Sequence, residues 1–182
     1  MVGYYRSFCK NFSTVAAPLT DLLSTKGVFK WDDACQAAFD SVKALLTTAP
    51  VLAAPDFNLP FSITVDASDL GAGAVLYQTG SDGLDHPVAY FSRKFNNYQH
   101  AYSTIEKEAL ALVLALQHFE VYVVGSATVT VYTDHNPLTF LNRMCNSNQR
   151  WMRWSLVLQC YNIHIKHIRG KDNVVADALS RV

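Results

Sequence analysis

The pattern of apolar and polar residues predicts three short strands in the middle of the chain. Residues 61–66 alternate strictly, and this period of two is typical of a half-buried strand. Segments 71–78 and 87–92 follow with strand character, and the glycine-rich residues 79–83 between them favour a hairpin turn. We therefore expect the three strands to form a meander. The two glycines that open the second strand predict a close approach of another backbone.

Apolar residues spaced three and four positions apart predict two long helices, at about 33–47 and 103–122. Each begins with a polar residue and an acceptor three positions later, the pattern of a capping box. The capping pairs are Asp33 with Gln36, for which Asp32 is the alternative cap, and Ser103 with Glu106. The stripes that we expect to be buried are Ala34, Ala38, Phe39, Val42, Leu45 and Leu46 in the first helix, and Ile105, Ala109, Leu112, Leu116 and Phe119 in the second.

Strand and helix patterns alternate in the rest of the chain. The predicted elements are a strand at 128–134, a short helix at 136–141, a helix at 148–158, a strand at 163–168 and a last helix that Asp172 would cap. The order βββ-α-β-α-α-β-α predicts an α/β domain with a five-stranded mixed sheet flanked by helices. A proline-rich stretch near 55–60 marks a boundary. We place a short helical connection segment at 1–55 and the α/β domain at 56–182.

Composition narrows the possible functions. Half of the 182 residues are hydrophobic and the formal net charge is zero, so any surface that binds nucleic acid must be local. The four cysteines form no CxxC pair, which favours reduced thiols over disulfides or a zinc site. No apolar run reaches membrane-spanning length, and no signal peptide opens the sequence. We expect an intracellular protein without a membrane partner, in the cytoplasm or the nucleus.

Acidic residues stand where predicted elements end. Asp66 and Asp134 each close a strand, and they converge if the first and fourth strands are neighbours. The turn that follows Asp66 is expected to leave its carboxylate open to solvent. On the long helix, Glu108 lies roughly 60° from the centre of the apolar stripe and is half-sheltered, whereas Glu106 lies roughly 100° away and is exposed. Asp177 lies on the last helix. Carboxylates are ligands that Mg²⁺ and Mn²⁺ prefer, although four scattered acids can also be solvated surface.

Short motifs along the whole chain resemble one family. They are residues 3–8, 17–20 and 29–31, which resemble the end of a polymerase region, and residues 65–68, 71–76, 102–108, 133–135, 153–154 and 173–181, which resemble the nuclease that follows it. In this order they resemble the ribonuclease H domain of a gypsy-type LTR-retrotransposon Pol polyprotein, with its connection segment. The Tyr-x-Asp-Asp hairpin of the polymerase itself does not occur in this sequence.

The resemblance implies a ribonuclease H-like fold and cleavage of the RNA strand of RNA–DNA hybrids, within a reverse transcriptase polyprotein whose remainder is a partner. It implies two Mg²⁺ ions, with Mn²⁺ as a substitute. Carried over by position, the catalytic and metal-binding residues are Asp66, Glu108, Asp134 and Asp177. The glutamate motif selects Glu108 over Glu106, and Asp172 competes with Asp177 for the last place.

Substrate contacts have to come from local features. Arg143, Arg150 and Arg153 are candidates, with Trp151 and Trp154 beside them, although Trp154 is favoured as core. The chain departs from many ribonucleases H because residues 169–171 lead straight into the last helix without a histidine-bearing loop. His167 therefore receives no proton-transfer role, and His135 is interpreted equally well as loop packing.

Two alternatives concern what the chain does as a whole. It could be a catalytically silent nucleic-acid-binding remnant or connection module of a retroelement polyprotein, although an intact acidic quartet argues against decay. Residues 1–55 carry no candidate catalytic group. Their apolar stripe has to be buried somewhere, so we expect them to dock loosely on the nuclease or to mediate self-association.

Overall fold

A computed structural model describes residues 12–23, 29–47, 51–126, 128–135 and 149–181. The chain separates into two compact units, Met1–Ala53 and Ala54–Val182. The role of residues 1–55 as a connection segment stays a prediction.

The first unit contains helices α1 (Phe12–Asp21) and α2 (Asp33–Thr47), which pack against each other. The buried residues of α2 are Cys35, Ala38, Val42 and Leu46. Burial of Ala38, Val42 and Leu46 is confirmed, whereas the predicted burial of Ala34 and Phe39 is wrong because both are exposed. The predicted Asp33–Gln36 capping pair is also wrong. The alternative cap, Asp32, accepts a hydrogen bond of 3.0 Å from the Cys35 backbone N–H.

The second unit is built on the predicted five-stranded mixed sheet. Its strands are β1 (Phe61–Ala67), β2 (Gly71–Thr79), β3 (Asp85–Lys94), β4 (Val129–Thr133) and β5 (Ile163–His167). They lie in the order β3-β2-β1-β4-β5. The first three form the antiparallel meander, whereas β4 runs parallel to β1 and β5 parallel to β4. The predicted fold class is therefore confirmed.

The helices of this unit are α3 (Asn97–His100), α4 (Thr104–His118), α5 (Glu120–Val123), α6 (Gln149–Leu158) and α7 (Val174–Ser180), with a 3-10 turn at Gly170–Asp172. The Ser103–Glu106 capping box forms as predicted. The single helix expected at 103–122 is instead interrupted at Phe119, and α3 was not anticipated. The helix predicted at 136–141 lies outside the described residues.

Helices cover both faces of the sheet near the end of β1. The side chains of Ile63 and Val65 belong to the core cluster that α4 also fills, and the opposite face of β1 meets α7. The apolar stripe predicted for α4 is too narrow, because α6 packs against this helix as well and Leu110 and Val113 are also buried.

Gly73 allows the close approach of α7. A Cβ atom built on Gly73 would lie 2.3 Å from the Ala176 carbonyl oxygen and 2.4 Å from the Ser180 backbone nitrogen. Since Gly73 pairs with Asp66 across the β1–β2 ladder, the glycine brings α7 directly over that carboxylate. The predicted close approach at the start of β2 is confirmed.

Within the described parts of the chain, no helix is long and apolar enough to cross a membrane.

Candidate active site

Three of the four predicted acids meet at one edge of the sheet. Because β1 and β4 are parallel neighbours, Asp66 and Asp134 lie at the same end of the sheet, as expected. Glu108 reaches them from α4, and one carboxylate oxygen from each residue lies within 4.8 Å of the others. Three oxygens this close repel one another as anions unless a proton or a cation intervenes.

Asp66 is more enclosed than predicted. We expected the following turn to leave it open to solvent, but its side chain is only 5% exposed because α7 covers that face of β1. The Ser180 hydroxyl donates a hydrogen bond of 2.7 Å to Asp66 Oδ2. Burial raises the pKa of Asp66; the Ser180 hydrogen bond opposes this rise, and the charges of Asp134 and Asp177 add to it.

Glu108 is buried rather than half-sheltered, with 4% exposure. Burial, followed by the charges of Asp66 and Asp134, raises its pKa from an ordinary 4.5 to about 8, and the Ala67 backbone N–H opposes the rise. Within the described residues, its buried Oε2 has no hydrogen-bond partner. A buried carboxylate oxygen without a donor is costly, and a divalent cation would satisfy it. The three acidic residues therefore fit a divalent cation that prefers oxygen ligands, such as Mg²⁺.

Asp134 follows β4 directly and is partly buried. The turn before α7 closes over it, since a Cβ atom on Gly170 would lie 3.1 Å from Asp134 Oδ2. The His167 ring nitrogen Nε2 lies 3.1 Å from the Asp134 carbonyl oxygen and donates to it in the tautomer that carries the hydrogen on Nε2. The backbone N–H of His135 donates to the Thr133 hydroxyl at 3.1 Å. The role of the His135 side chain in loop packing stays a prediction.

Asp177, the fourth predicted acid, forms an ion pair with Arg181. Arg181, one helical turn later, donates from its guanidinium to Asp177 Oδ1. Asp177 is not part of the three-acid cluster in the described chain, but its charge contributes to the raised pKa of Asp66. The expected cap at Asp172 is wrong, because the 3-10 turn ends there and Asn173 takes the N-cap position of α7.

The arginine candidates differ in their surroundings. Arg150 donates to Glu106 Oε1 at 2.6 Å and lies over the Tyr102 ring, 3.9 Å from its centroid. Glu106 is therefore not exposed as predicted, since its side chain is 15% accessible. Arg153 is exposed and Trp154 is buried. Arg143 lies outside the described residues.

The N-terminal end of α4 and helix α6 form a cleft together. Its volume is about 650 Å³, and its lining residues are Gln99, Tyr102, Leu110, Gln149, Arg150, Arg153 and Trp154. Two of the predicted substrate-binding arginines thus share one concave surface with an aromatic ring.

Three residues around the acids escaped the sequence analysis: Ser180, Asn173 and Gly170. The buried Asn173 side chain donates a hydrogen bond of 2.9 Å to the Val65 carbonyl oxygen, immediately before Asp66. Asn173 and Ser180 lie in the motif at 173–181 and Gly170 in the turn before it, but the sequence assigned none of the three a role. Nothing in a residue pattern shows that α7 lies over β1.

The chain is similar to known proteins in sequence and in fold. A family described as an RNase H-like domain found in reverse transcriptase matches residues 56–161. The retrovirus-related Pol polyproteins from transposons opus and 412 of Drosophila melanogaster are 40% and 44% identical to the chain, over 100% and 99% of its length. The aligned part is only 19% and 14% of those polyproteins.

The fold also matches a solved structure. A foamy viral protease-reverse transcriptase in complex with double-stranded DNA superposes with a TM-score of 0.68 at 23% identity, covering 92% of this chain and 32% of that one. This match supports the fold expected from the sequence.

Proposed function

Because this chain belongs to the family of RNase H-like domains found in reverse transcriptases, we propose that it is a metal-dependent endonuclease that cleaves the RNA strand of RNA–DNA hybrids. The observation that carries the proposal is the convergence of Asp66, Glu108 and Asp134, with oxygens within 4.8 Å of one another. The chain spans about a fifth or less of its first relatives. We propose that the rest of such a polyprotein is its partner.

Asp66, Glu108 and Asp134 would hold Mg²⁺, or Mn²⁺ in its place, and Asp177 would complete the set. A pair of such ions, when bound, activates water and stabilises the leaving oxygen in phosphodiester hydrolysis. The protein supplies rigid placement: Asp66 is fixed by β1 and α7, and Glu108 by the buried face of α4. The Glu108 carboxyl has a pKa of about 8 without metal, so it must release its proton before it can serve as an anionic ligand.

Arg153 and the cleft between α4 and α6 are the proposed contact with the hybrid. The guanidinium of Arg153 is exposed, and a phosphate backbone would supply its counter-charge. Arg150 already has Glu106 as a partner, so it would position the cleft more than it would bind phosphate. Arg143 remains a candidate from the sequence alone.

The test is cleavage of a hybrid with a labelled RNA strand, in Mg²⁺ and in EDTA, with duplex DNA as the control substrate. We expect cleavage of the RNA strand only, and only with the metal. Asp66→Asn should abolish cleavage while the fold survives. Asp177→Asn should be less severe, because Asp177 is paired with Arg181 outside the three-acid cluster.

Substantial cleavage by Asp66→Asn would refute the assignment. Hybrid binding without any cleavage by the wild-type chain would instead support the alternative, a silent nucleic-acid-binding remnant.

A further inference from the structure

Two acceptor oxygens lie within hydrogen-bond distance of the Ser180 hydroxyl. Its hydroxyl lies 2.7 Å from Asp66 Oδ2 and 2.8 Å from the Asp177 carbonyl oxygen. A hydroxyl has one proton to donate, so Ser180 can serve only one of these oxygens at a time. The side chain is fully buried and Asp66 is nearly so.

The carboxylate is the stronger of the two acceptors. A helical serine commonly donates to the carbonyl three or four residues earlier, and Ser155 in α6 does so, at 2.8 Å from Met152 O. Ser180 has the same local option and, in addition, a buried charge within reach. Hydrogen bonds to ionised acceptors are roughly twice as strong as those between neutral groups. The proton of Ser180 is therefore drawn to Asp66 whenever that carboxyl is ionised.

Ser180 also joins two parts of the acidic site. Ser180 and the C-cap residue Arg181 follow Asp177 by three and four positions, so the three residues lie on one side of the last turn of α7. Ser180 contacts Asp66 on β1, and its carbonyl oxygen accepts a hydrogen bond of 2.5 Å from the Ser68 hydroxyl in the turn after β1. The end of β1 and the last turn of α7 are thus held together on both sides of Asp66.

We propose that Ser180 is a positioning residue for the metal site: its hydroxyl fixes the orientation of the Asp66 carboxylate toward the cation that Asp66, Glu108 and Asp134 would share. This inference rests on the proposed function. Partners that orient metal ligands commonly change metal affinity by 10–100-fold when they are removed. Ser180 would act through Asp66 without contacting the substrate.

The test measures Mn²⁺ affinity of the full chain from the EPR signal of free Mn²⁺, at one fixed pH. Ser180→Ala should weaken Mn²⁺ binding about tenfold. Ser155→Ala is the matched control, because it removes a buried helical hydroxyl of the same local geometry whose acceptor, within the described residues, is the Met152 carbonyl oxygen and not a carboxylate. It should leave the affinity unchanged. Ser180→Cys, which keeps a weak donor, should fall between the wild-type chain and Ser180→Ala.

Wild-type affinity in Ser180→Ala would overturn this inference while leaving the proposed nuclease intact. If Ser180→Ala failed to fold, unchanged affinity in Ser180→Cys would overturn it in the same way. A wild-type chain without saturable Mn²⁺ binding would overturn both the inference and the proposed metal site.

Discussion

Replacing Glu108 with glutamine should stabilise the metal-free protein at high pH. In the folded chain the pKa of Glu108 is about 8, against an ordinary 4.5. The folded state therefore holds the Glu108 proton more tightly than the unfolded state does. The contribution of Glu108 to the free energy of unfolding is fully present below pH 4.5, and it is lost as the pH rises toward 8. Glutamine cannot ionise, so the variant escapes the loss.

The size of the effect follows from the same pKa difference. Each pH unit between the two pKa values corresponds to about 1.4 kcal/mol, and integration from pH 5 to pH 8 gives about 3–4 kcal/mol. The difference in the free energy of unfolding between Glu108→Gln and the wild-type chain should therefore increase by about 3–4 kcal/mol from pH 5 to pH 8. The amide also suits the site, because its N–H₂ group can donate to neighbouring carboxylates where Oε2 now lacks a donor.

The assay is denaturant unfolding in EDTA at pH 5 and pH 8, followed by the same experiment with Mg²⁺. The cation should restore stability to the wild-type chain at pH 8, because it replaces the proton among the three carboxylates. It should do much less for Glu108→Gln, which has also lost a ligand. Hybrid cleavage by this variant should be severely impaired.

Glu106→Gln, on the same helix, is a control for which we expect the opposite change in stability at pH 8. Burial favours a higher pKa for Glu106, but hydrogen bonds from Ser103 and the charge of Arg150 outweigh it and hold the pKa below its usual value. Loss of this charge should destabilise the chain at pH 8. Parallel stability profiles for Glu108→Gln and the wild-type chain between pH 5 and pH 8 would refute the reasoning about Glu108.

Two further predictions concern parts of the chain outside the metal site. Glu106→Gln should keep most of the cleavage activity and lose at most about 1 kcal/mol of stability, because glutamine can still accept a hydrogen bond in the capping box and the partly exposed pair with Arg150 contributes little. A larger loss of activity than in Glu108→Gln would reverse the assignment of the two glutamates. Removal of residues 1–55 should leave cleavage at saturating hybrid largely intact and weaken hybrid affinity or change the oligomeric state measured by sedimentation. A well-folded 56–182 chain without activity at any substrate concentration would contradict this prediction.

Local patterns were sufficient to predict most of the sheet and two of its acids. The alternation in 61–66 depends only on the geometry of a strand, and a residue at a strand end stays there whatever packs around it. Asp66 and Asp134 were therefore placed correctly at the ends of β1 and β4. The Ser103–Glu106 capping box is equally local, because both partners lie within one turn.

The burial of the acids could not be predicted in the same way. Helix periodicity places Glu108 beside the apolar stripe of α4, but it does not show that Asp66 and Asp134 press against it from the sheet. The enclosure of Asp66 depends on α7, more than a hundred residues away along the chain, and on the absence of a side chain at Gly73. The pair between Glu106 and Arg150 depends in turn on how α6 packs against α4.

Several departures from the sequence expectation lie at the acidic site, and they share one physical consequence. Asp66 and Glu108 are ionisable and buried, and each has a pKa raised by that burial. A chain optimised for stability alone would replace such groups with apolar residues of similar size. The two buried carboxylates make the local fold less stable without a cation, and its stability therefore depends more strongly on the cation. Binding sites commonly lose stability in this way in return for function. Ser180 partly relieves the cost at Asp66 by donating to it, whereas Glu108 Oε2 has no such donor in the described chain. The two carboxylates should therefore respond differently to the cation: Glu108 should change its protonation state, while Asp66 should mainly keep its orientation.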